Sequence, residues 1–174
     1  VPLLAYGGHT SVADSTSHGS YLLNPDTTIG IPSTDAGTCN DRTDMLNADT
    51  IVFYASNPAW SAPGAPSYHY LRAKEAGVKF ITVDPIYTAS AQMLDAYWIP
   101  IRTGTDTAFM LGVASEMLRL DKEEGDVIDW DFLDKYTVGF DADHKPDDLK
   151  EDVNFRDYVE GVYDGQPKTA EWAS

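Results

Sequence analysis

Residues 50–84 alternate between apolar and amphipathic segments, and this alternation constrains the fold more than any other feature of the sequence. The runs "TIVFYAS" at 50–56 and "VKFITVD" at 78–84 are short, β-branched and aromatic, which predicts two buried strands. Between them, "SYHYLRAKEAG" at 67–77 has helical character and ends at Gly77, a residue typical of helix stops. A strand, a helix and a strand within so few residues predict a parallel βαβ unit with a right-handed crossover.

Two further elements extend this unit. The segment "AYWIPI" at 96–101 predicts a third strand, and its Pro100 favours an edge or terminal position because proline donates no ladder hydrogen bond. The segment "TDTAFMLGVASEMLRL" at 105–120 predicts a long helix capped by Thr105 or Asp106. We therefore predict an α/β fold, with a Rossmann-like open, mainly parallel sheet, helices on both of its faces, and a long irregular N-terminal segment.

The helical periodicity also predicts which side chains face the core. On the first helix we expect one face to carry Tyr70, Leu71, Ala73 and Ala76. On the long helix we expect the apolar face to carry Phe109, Val113 and Met117 beside Met110, Ala114 and Leu118.

Composition divides the chain into three predicted parts. Residues 1–50 are rich in Gly, Ser, Thr, Asp and Asn and read as loops, residues 51–140 form the α/β core, and residues 141–174 form an acidic, loop-rich extension. Within the core, "DWDFLDKYTVGFD" predicts a short helix and a turn. A start without Met and an abrupt end lead us to expect a piece of a longer protein.

Charge and cysteine content exclude several classes of function. Twelve Lys and Arg against 28 Asp and Glu give a net charge of -16, which disfavours nucleic acid and anionic membranes as partners. A single cysteine, Cys39, excludes a disulfide framework, a zinc site and an iron–sulfur site built within this chain. An anionic ligand would have to be held by backbone N–H groups, by helix N-termini or by cations from elsewhere.

Polar segments follow each of the three predicted strands: "YASNPAWS" at 54–61, "VDPIYT" at 83–88 and "TGTD" at 103–106. In an open parallel sheet, ligands bind outside the carboxyl ends of the strands. Each segment alone is also a common turn or cap, so their coincidence at one edge carries the argument. The sequence lacks both the GxGxxG and the GxxxxGK[ST] motif, which disfavours ordinary NAD and P-loop nucleotide binding.

Each segment offers groups suited to a nucleotide. Asn57 can accept and donate hydrogen bonds, and Asp84 can accept from ribose hydroxyls. Asp106 can accept two hydrogen bonds from a guanine edge, while Gly104 permits a close turn against the ligand. The sequence therefore predicts a nucleotide across the strand ends, and we propose none of these residues as a general acid or base.

Several motifs in one order resemble the molybdopterin oxidoreductases of the dimethyl sulfoxide reductase family. They are "ADTIVFYASNP", "RAKEAGVKFITVDPIYT", "WIPIRTGTDTAFMLGVA", "DFLDKYTVGFD" and the ending "KTAEWAS". The resemblance runs from about residue 5 to residue 174 and is strongest over 48–140. It implies an internal, cofactor-binding portion of a larger catalytic subunit, which would transfer oxygen atoms together with two electrons.

The resemblance implies a bis(molybdopterin guanine dinucleotide) cofactor with molybdenum or tungsten, and an iron–sulfur cluster only in the N-terminal part of the parent protein. It assigns the dinucleotide contacts to Tyr54, Ser56, Asn57, Pro58, Val83, Asp84, Pro85, Tyr87, Gly104, Thr105 and Asp106.

By the same resemblance, residues 1–50 contribute to the metal side of the site. The resemblance places the metal ligand in "ADSTS" at 13–17. If Asp14 is aligned with the Asp of the family motif, Thr16 takes the position of the ligand, and a shift of one residue puts Ser15 or Ser17 there instead.

The sequence departs from the family pattern at three places near the predicted contacts. Ile86 stands where the family commonly has Arg, Trp60 where an acid is frequent, and Thr103 where Pro is common.

The implied partners are the remainder of the catalytic subunit, an iron–sulfur electron-transfer subunit and a membrane-anchor subunit. We expect neither nucleic acid binding nor direct membrane insertion, and the family implies an extracytoplasmic parent protein that is membrane-associated through its partners. Two other hypotheses stay open: a stand-alone nucleotide-binding or regulatory α/β module without redox chemistry, and an interaction domain with a solvated acidic face. The length of the full reading frame separates these from the enzyme.

Overall fold

A computed structural model describes residues 41–61, 64–149 and 153–174. Its sheet consists of β1 (Thr50–Tyr54), β2 (Lys79–Val83) and β3 (Tyr97–Ile99). The strands run parallel in the order β1-β2-β3, with Thr50 opposite Lys79 and Ile81 opposite Tyr97. The predicted α/β fold with an open parallel sheet is confirmed, and β3, which Pro100 follows, is an edge strand as expected.

Seven α-helices occupy the described residues. They are α1 (Pro58–Ser61), α2 (Ala65–Glu75), α3 (Ala89–Leu94), α4 (Asp106–Glu124), α5 (Trp130–Tyr136), α6 (Phe155–Val159) and α7 (Ala170–Ala173). Short 3₁₀ segments lie at Arg42–Asn47 and Asp147–Leu149. The predicted helices correspond to α2, α4 and α5, whereas α1, α3, α6 and α7 were not predicted because each spans too few residues to show a helical period.

One face of the sheet forms the first hydrophobic core. Phe53 and Phe80 project from β1 and β2 and pack against Ala73 of α2 and against Ala91 and Leu94 of α3. Phe53 lies edge-on to the Tyr70 ring, with 4.8 Å between the ring centroids. Helices α2 and α3 therefore cover this face, as a right-handed βαβ crossover requires.

The opposite face is covered mainly at its carboxyl end. Val83 is buried there, and the Tyr54 ring lies 6.2 Å from that of Phe109 on α4. Nearer the amino ends, Val52 is 54% exposed and Tyr97 is 72% exposed. Among the described residues, a helix therefore packs on this face mainly where the strands end.

A second core surrounds α4. Leu111 and Leu118 pack with Val159 of α6 and with partly buried residues that include Trp130 and Phe140. Helix α7 lies so close to α4 that a Cβ added at Gly112 would be 3.0 Å from the Cβ of Ala173. Residues of the predicted C-terminal extension therefore complete the packing of α4, while the predicted boundary at 140 stays a prediction.

The predicted helix faces are wrong in part. On α2, Tyr70 and Ala73 face the core, but Leu71 and Ala76 are exposed. Leu71 directly follows Tyr70, and in an α-helix i and i+3 share a face whereas i and i+1 do not. Ala76 comes after Glu75, the last residue of α2, and caps the helix instead of lying on its core face.

On α4 the buried positions are Leu111, Gly112 and Leu118, whereas Met110, Val113 and Met117 are each more than 40% exposed. The sequence contains apolar residues around most of α4, and the packing of α6 and α7 selects which of them are buried.

Candidate functional site

The carboxyl ends of the three strands meet at one edge of the sheet, which we call the rim: residues 54–61, 83–90 and 102–106. The Ala55 N–H donates to the Val83 carbonyl at 2.9 Å, which joins the first two segments, and the Asp84 N–H donates to the carbonyl of Ile99, the last residue of β3, at 3.2 Å. The Tyr54 hydroxyl reaches the Asp106 carbonyl of the third segment. The predicted juxtaposition of the three polar segments is therefore confirmed.

The first rim segment turns sharply out of β1. Ala55 adopts a left-handed backbone conformation with φ 49°, which costs a residue with a Cβ about 1 kcal/mol or more. Helix α1 begins directly afterwards, and its N–H groups at Trp60 and Ser61 donate to the Asn57 carbonyl at 3.0 and 2.9 Å. The turn brings the Asn57 side chain to the rim.

A buried hydrogen-bond network holds Asn57. Its Oδ1 accepts from the Ser90 backbone N–H at 3.1 Å and from the Ser90 hydroxyl at 2.8 Å. The same hydroxyl accepts from the Ala59 N–H at 2.9 Å, and Ser90 has no exposed surface. The first turn of α3, to which Ser90 belongs, is capped by the Thr88 hydroxyl accepting from the Ala91 N–H.

The second rim segment is an Asx turn. The Asp84 Oδ1 accepts from the Ile86 N–H at 3.0 Å, and the Asp84 carbonyl accepts from the Trp98 Nε1–H at 2.8 Å. Tyr87 lies edge-on to the Trp98 ring, with 5.6 Å between the centroids. The turn uses one carboxylate oxygen of Asp84, and no residue of the described chain donates to the other.

The third rim segment leads into α4. Gly104 has φ 86° and open space where a Cβ would lie, and the Thr105 hydroxyl donates to the Arg102 carbonyl at 2.7 Å. Thr105 occupies the N-cap position, as predicted, but its side chain makes no capping bond to α4. The Asp106 carboxylate follows at the first helical position and is exposed.

Tyr54 connects the first and third segments. Its hydroxyl donates to the Asp106 carbonyl over a long 3.4 Å, and its ring packs on Phe109. Partial burial raises the pKa of the Tyr54 phenol, and the nearby Asp106 charge raises that pKa further. Tyr54 therefore stays a neutral donor at physiological pH.

Four polar or charged groups at the rim remain for a ligand. They are the Nδ2 of Asn57, the second carboxylate oxygen of Asp84, the carboxylate of Asp106, which lies near the Tyr54 hydroxyl, and the guanidinium of Arg102. Arg102 is exposed, and it is a cation in a strongly acidic protein. The rim thus offers an amide donor, a two-oxygen acceptor and a positive charge.

The other predicted contact residues lie on the same rim with different exposure. Ser56, Pro85 and Tyr87 are exposed, whereas Pro58 and Val83 are buried. A ligand could therefore reach Pro58 and Val83 only through their backbone atoms. Their assignment as cofactor contacts remains a prediction, as it does for all eleven residues.

Sequence reasoning missed three rim residues: Ala55, Ser90 and Arg102. A strained conformation at Ala55 has no sequence signal, and the partner of Ser90 lies 33 residues away in the chain. Arg102 could have been found, because it stands directly before the TGTD segment.

A cleft of about 630 Å³ runs along the outer side of β1 and reaches the rim. Met45, Phe53, Tyr54, Ser56 and Tyr70 are among the residues that line it. The cleft meets the rim at Tyr54 and Ser56, so a ligand on the rim would also have access to it.

The predicted metal ligands Thr16, Ser15 and Ser17 lie outside the described residues. Within the described ranges, His, Cys, Asp and Glu side chains form no cluster of three suited to a metal ion. In the same ranges, no helix combines the length and the apolar character that crossing a bilayer requires.

The chain is similar to a known family and to several proteins that are named as reductases. The sequence pattern of the molybdopterin oxidoreductase family matches residues 4–126. A trimethylamine-N-oxide reductase of Haemophilus influenzae is 36% identical over 137 residues, covering 75% of this chain and 14% of that protein. A putative dimethyl sulfoxide reductase chain of Escherichia coli is 34% identical over 139 residues, covering 78% and 17%.

A third relative extends the similarity to nearly the whole chain. The biotin sulfoxide reductase of Cereibacter sphaeroides is 33% identical over 179 aligned positions, covering 97% of this chain and 22% of that protein. The chain therefore spans between 14% and 22% of the length of these three relatives.

Proposed function

The chain belongs to the molybdopterin oxidoreductases of the dimethyl sulfoxide reductase type, and from this premise we propose that its rim binds the nucleotide end of a molybdopterin guanine dinucleotide. The observation that carries the proposal is the convergence of three polar segments at one edge of a parallel sheet, where nucleotides bind in open α/β folds. The longer protein that contains this chain is then the catalytic subunit of a reductase.

The groups present at the rim fit such a ligand. Asp106 is an exposed residue, and the two oxygens of its carboxylate suit the adjacent N–H donors of a guanine edge. The second oxygen of Asp84 can accept from a ribose hydroxyl. Arg102 and the Asn57 amide can meet phosphate oxygens, and the open space at Gly104 lets a ligand approach the backbone.

The bound group would supply two-electron chemistry at molybdenum or tungsten, coupled to the transfer of an oxygen atom. The role proposed for the described residues is to bind and orient the cofactor, and none of them is proposed as a general acid or base. In the segment 13–17, one hydroxyl among Ser15, Thr16 and Ser17 is proposed to approach the metal. The names of the relatives favour N-oxides and S-oxides as the substrate class.

We further propose that the parent protein works within a complex. Its partners would be the remainder of its own catalytic subunit, an iron–sulfur electron-transfer subunit and a membrane-anchor subunit, and an iron–sulfur cluster would lie in its N-terminal part. An extracytoplasmic location, with membrane association through these partners, belongs to the same proposal. Names of dimethyl sulfoxide reductase chains among the relatives support a multisubunit assembly.

Asp106→Asn in the full-length protein tests the nucleotide assignment. The substitution keeps the size of the side chain but replaces one acceptor oxygen with a donor that faces the guanine donors. We expect the guanine nucleotide released per protein to fall by about tenfold, because one charge-assisted hydrogen bond is lost and a donor clash is added. The measurement is nucleotide and metal analysis after denaturation of the purified protein.

Asp131→Asn is the matched control, since Asp131 is an exposed residue of the first turn of α5, away from the rim. It should retain the nucleotide at the wild-type level. Equal nucleotide content in the Asp106 variant and the wild type would remove Asp106 from the site. A full-length wild type without molybdopterin or guanine nucleotide would refute the proposed function as a whole.

A further inference from the structure

The structure assigns to Ser90 the role of a positioning residue that makes Asn57 a hydrogen-bond donor toward the ligand. Ser90 belongs to α3 and was not among the predicted contacts. It touches no ligand in this role, because it is fully buried and acts through the Asn57 side chain. The inference rests on the proposed function, since it concerns how the rim meets the cofactor.

The orientation of the Asn57 amide follows from the chemistry of its neighbour. A backbone N–H can only donate, so the Asn57 atom that lies 3.1 Å from the Ser90 nitrogen must be the oxygen. The oxygen and the nitrogen of an asparagine amide are otherwise hard to distinguish, and here the hydrogen-bond network determines which is which. The Nδ2 is therefore the end that remains for a ligand.

The direction of the Ser90 hydroxyl is fixed in the same way. Its oxygen accepts from the Ala59 N–H at 2.9 Å, so its single proton is committed to the Asn57 Oδ1 at 2.8 Å. The Asn57 oxygen thus receives two donors from one residue. Rotating the amide by 180° would place its NH₂ group against both of them, which is unfavourable for a part-buried group.

The consequence is a constraint on the ligand. Asn57 Nδ2 carries two hydrogens, and no group in residues 41–61, 64–149 or 153–174 accepts them. The ligand atom that meets Asn57 must therefore be an acceptor, such as a phosphate or carbonyl oxygen. In a chain of net charge -16, a neutral donor of this kind matters for holding an anionic group.

The experiment uses the full-length holoenzyme and measures how fast the guanine-nucleotide cofactor is lost after dilution into buffer. Ser90→Ala removes the hydroxyl, and Ser90→Cys removes most of its donor strength while keeping the size. Both should release the cofactor about tenfold faster than the wild type, the effect of losing roughly one buried hydrogen bond. Ser90→Thr keeps the hydroxyl and should restore slow release.

Asn57→Asp separates the two ends of the side chain. An aspartate still accepts from both Ser90 donors but presents an acceptor to the ligand, so it should release the cofactor at least as fast as Ser90→Ala. If Ser90 acts through Asn57, the double variant should release it no faster than Asn57→Asp alone. If the double variant of Ser90→Ala and Asn57→Asp released the cofactor faster by the product of the two single effects, the inference would be overturned.

Thr82→Val is the matched control, because Thr82 is a fully buried residue of β2 whose hydroxyl has no hydrogen-bond partner among the described residues. Its loss should leave cofactor release unchanged. Faster release in this control, equal to that of Ser90→Ala, would show a general loosening of the core and would overturn the inference. So would a Ser90→Ala enzyme with wild-type release.

The same experiment distinguishes the two proposals. A wild-type protein that carries no guanine nucleotide refutes the proposed function, and the inference about Ser90 falls with it. A loaded wild type with wild-type release in the Ser90 variants refutes the inference alone.

Discussion

The sheet region, residues 41–105, and the helical region, residues 106–174, are stabilised in different ways. In the sheet region, parallel ladders and the β1 and β2 residues that face α2 and α3 hold the structure together. In the helical region, α5, α6 and α7 have 7, 5 and 4 residues. Helices so short are not stable by themselves, so other contacts must hold them in place.

Polar anchors supply part of those contacts in the helical region, beside the second hydrophobic core around α4. The Asp121 carboxylate accepts from the N–H groups of Val127 and Ile128 and from the Trp130 indole, at 3.0, 2.9 and 2.7 Å. Lys168, almost fully buried, donates to the Gln166 carbonyl at 2.6 Å and pairs with Asp164. A polar group in this region therefore serves the fold.

In the sheet region, the buried polar residues Thr88 and Ser90 lie at the rim, whereas Thr82 lies within β2. Ser90 and Thr88 organise the first turn of α3, and Ser90 holds Asn57. This difference teaches that polar residues serve two separate purposes in this chain. The helical region uses them for stability, and among the described residues the sheet region places two of its three buried polar residues where a ligand would bind.

Charge separates the two regions as well. Residues 106–174 contain 19 Asp and Glu against 7 Lys and Arg, a net charge of -12, whereas residues 41–105 contain 6 against 5, a net charge of -1. Most of the self-repulsion therefore lies in the helical region.

The largest expected effect is that of Gly161→Ala in the helical region. Gly161 has φ 77°, and a Cβ there would collide with the backbone of Gln166 and Pro167. We expect the local opening free energy of residues 153–174, measured by hydrogen exchange on the full-length protein, to fall by about 3 kcal/mol or more.

Gly165→Ala is the control for this change, since Gly165 lies in the same segment and also has a positive φ, 70°, but has open space around it. It should cost only about 1 kcal/mol, the penalty of a positive φ without a collision. If both variants lost the same amount of opening free energy, the turn at Gly161 would not be tightly packed.

Asp121→Asn should have the next largest effect. Hydrogen bonds from Ile128, Trp130 and Val127 lower the pKa of Asp121 below its ordinary value. Its contribution to stability is therefore present above the pKa of an unfolded aspartate, about 3.9, and is lost as the pH falls through the folded value. At neutral pH we expect the amides of Val127 and Ile128 to exchange about tenfold faster in the variant.

The pH dependence sharpens this prediction. The difference between wild type and Asp121→Asn should shrink as the pH falls below about 4, because protonation removes the same acceptor from the wild type. Asp126→Asn, an exposed residue of the same loop, is the control and should exchange like the wild type. A difference that stayed constant down to a pH of about 2 would exclude the carboxylate as the anchor.

A smaller effect concerns salt. A higher KCl concentration screens the repulsion between like charges, so it should slow amide hydrogen exchange more strongly in the region with the larger net charge. Between low and molar salt, we expect amides of residues 106–174 to exchange about threefold more slowly, with a lesser change in residues 41–105. Peptide-resolved hydrogen exchange measures both regions in one sample, and an equal gain in the two would contradict the role assigned to charge.

The smallest effect is expected from Ala55→Gly at the rim. Glycine relieves the left-handed strain at φ 49° but adds backbone freedom to the unfolded chain, and the two contributions nearly cancel. We expect the opening free energy of β1 to change by less than about 0.5 kcal/mol, measured by hydrogen exchange of Phe53 and Tyr54. A loss of more than about 1 kcal/mol would show that the Ala55 methyl makes a packing contact that outweighs the strain.

Much of the sheet region could be predicted from its sequence. The strand at 50–54, the helix that ends before Gly77 and the strand at 79–83 are marked by local residue types. The resemblance to the molybdopterin oxidoreductases, drawn from motifs such as "ITVDPIYT", is confirmed as well. The short helices α1 and α3 were not predicted because 4 and 6 residues are too few to show a helical period.

What the sequence determined by itself is the set of parallel strands and the three polar segments that follow them, because strand propensity and turn chemistry act between neighbours in the chain. Only the tertiary structure decided which amide atom of Asn57 faces Ser90, which side of α4 is buried and that Lys168 lies in the interior. These outcomes depend on contacts between residues far apart in sequence. The same residue types would satisfy local rules in either arrangement, so packing alone selects between them.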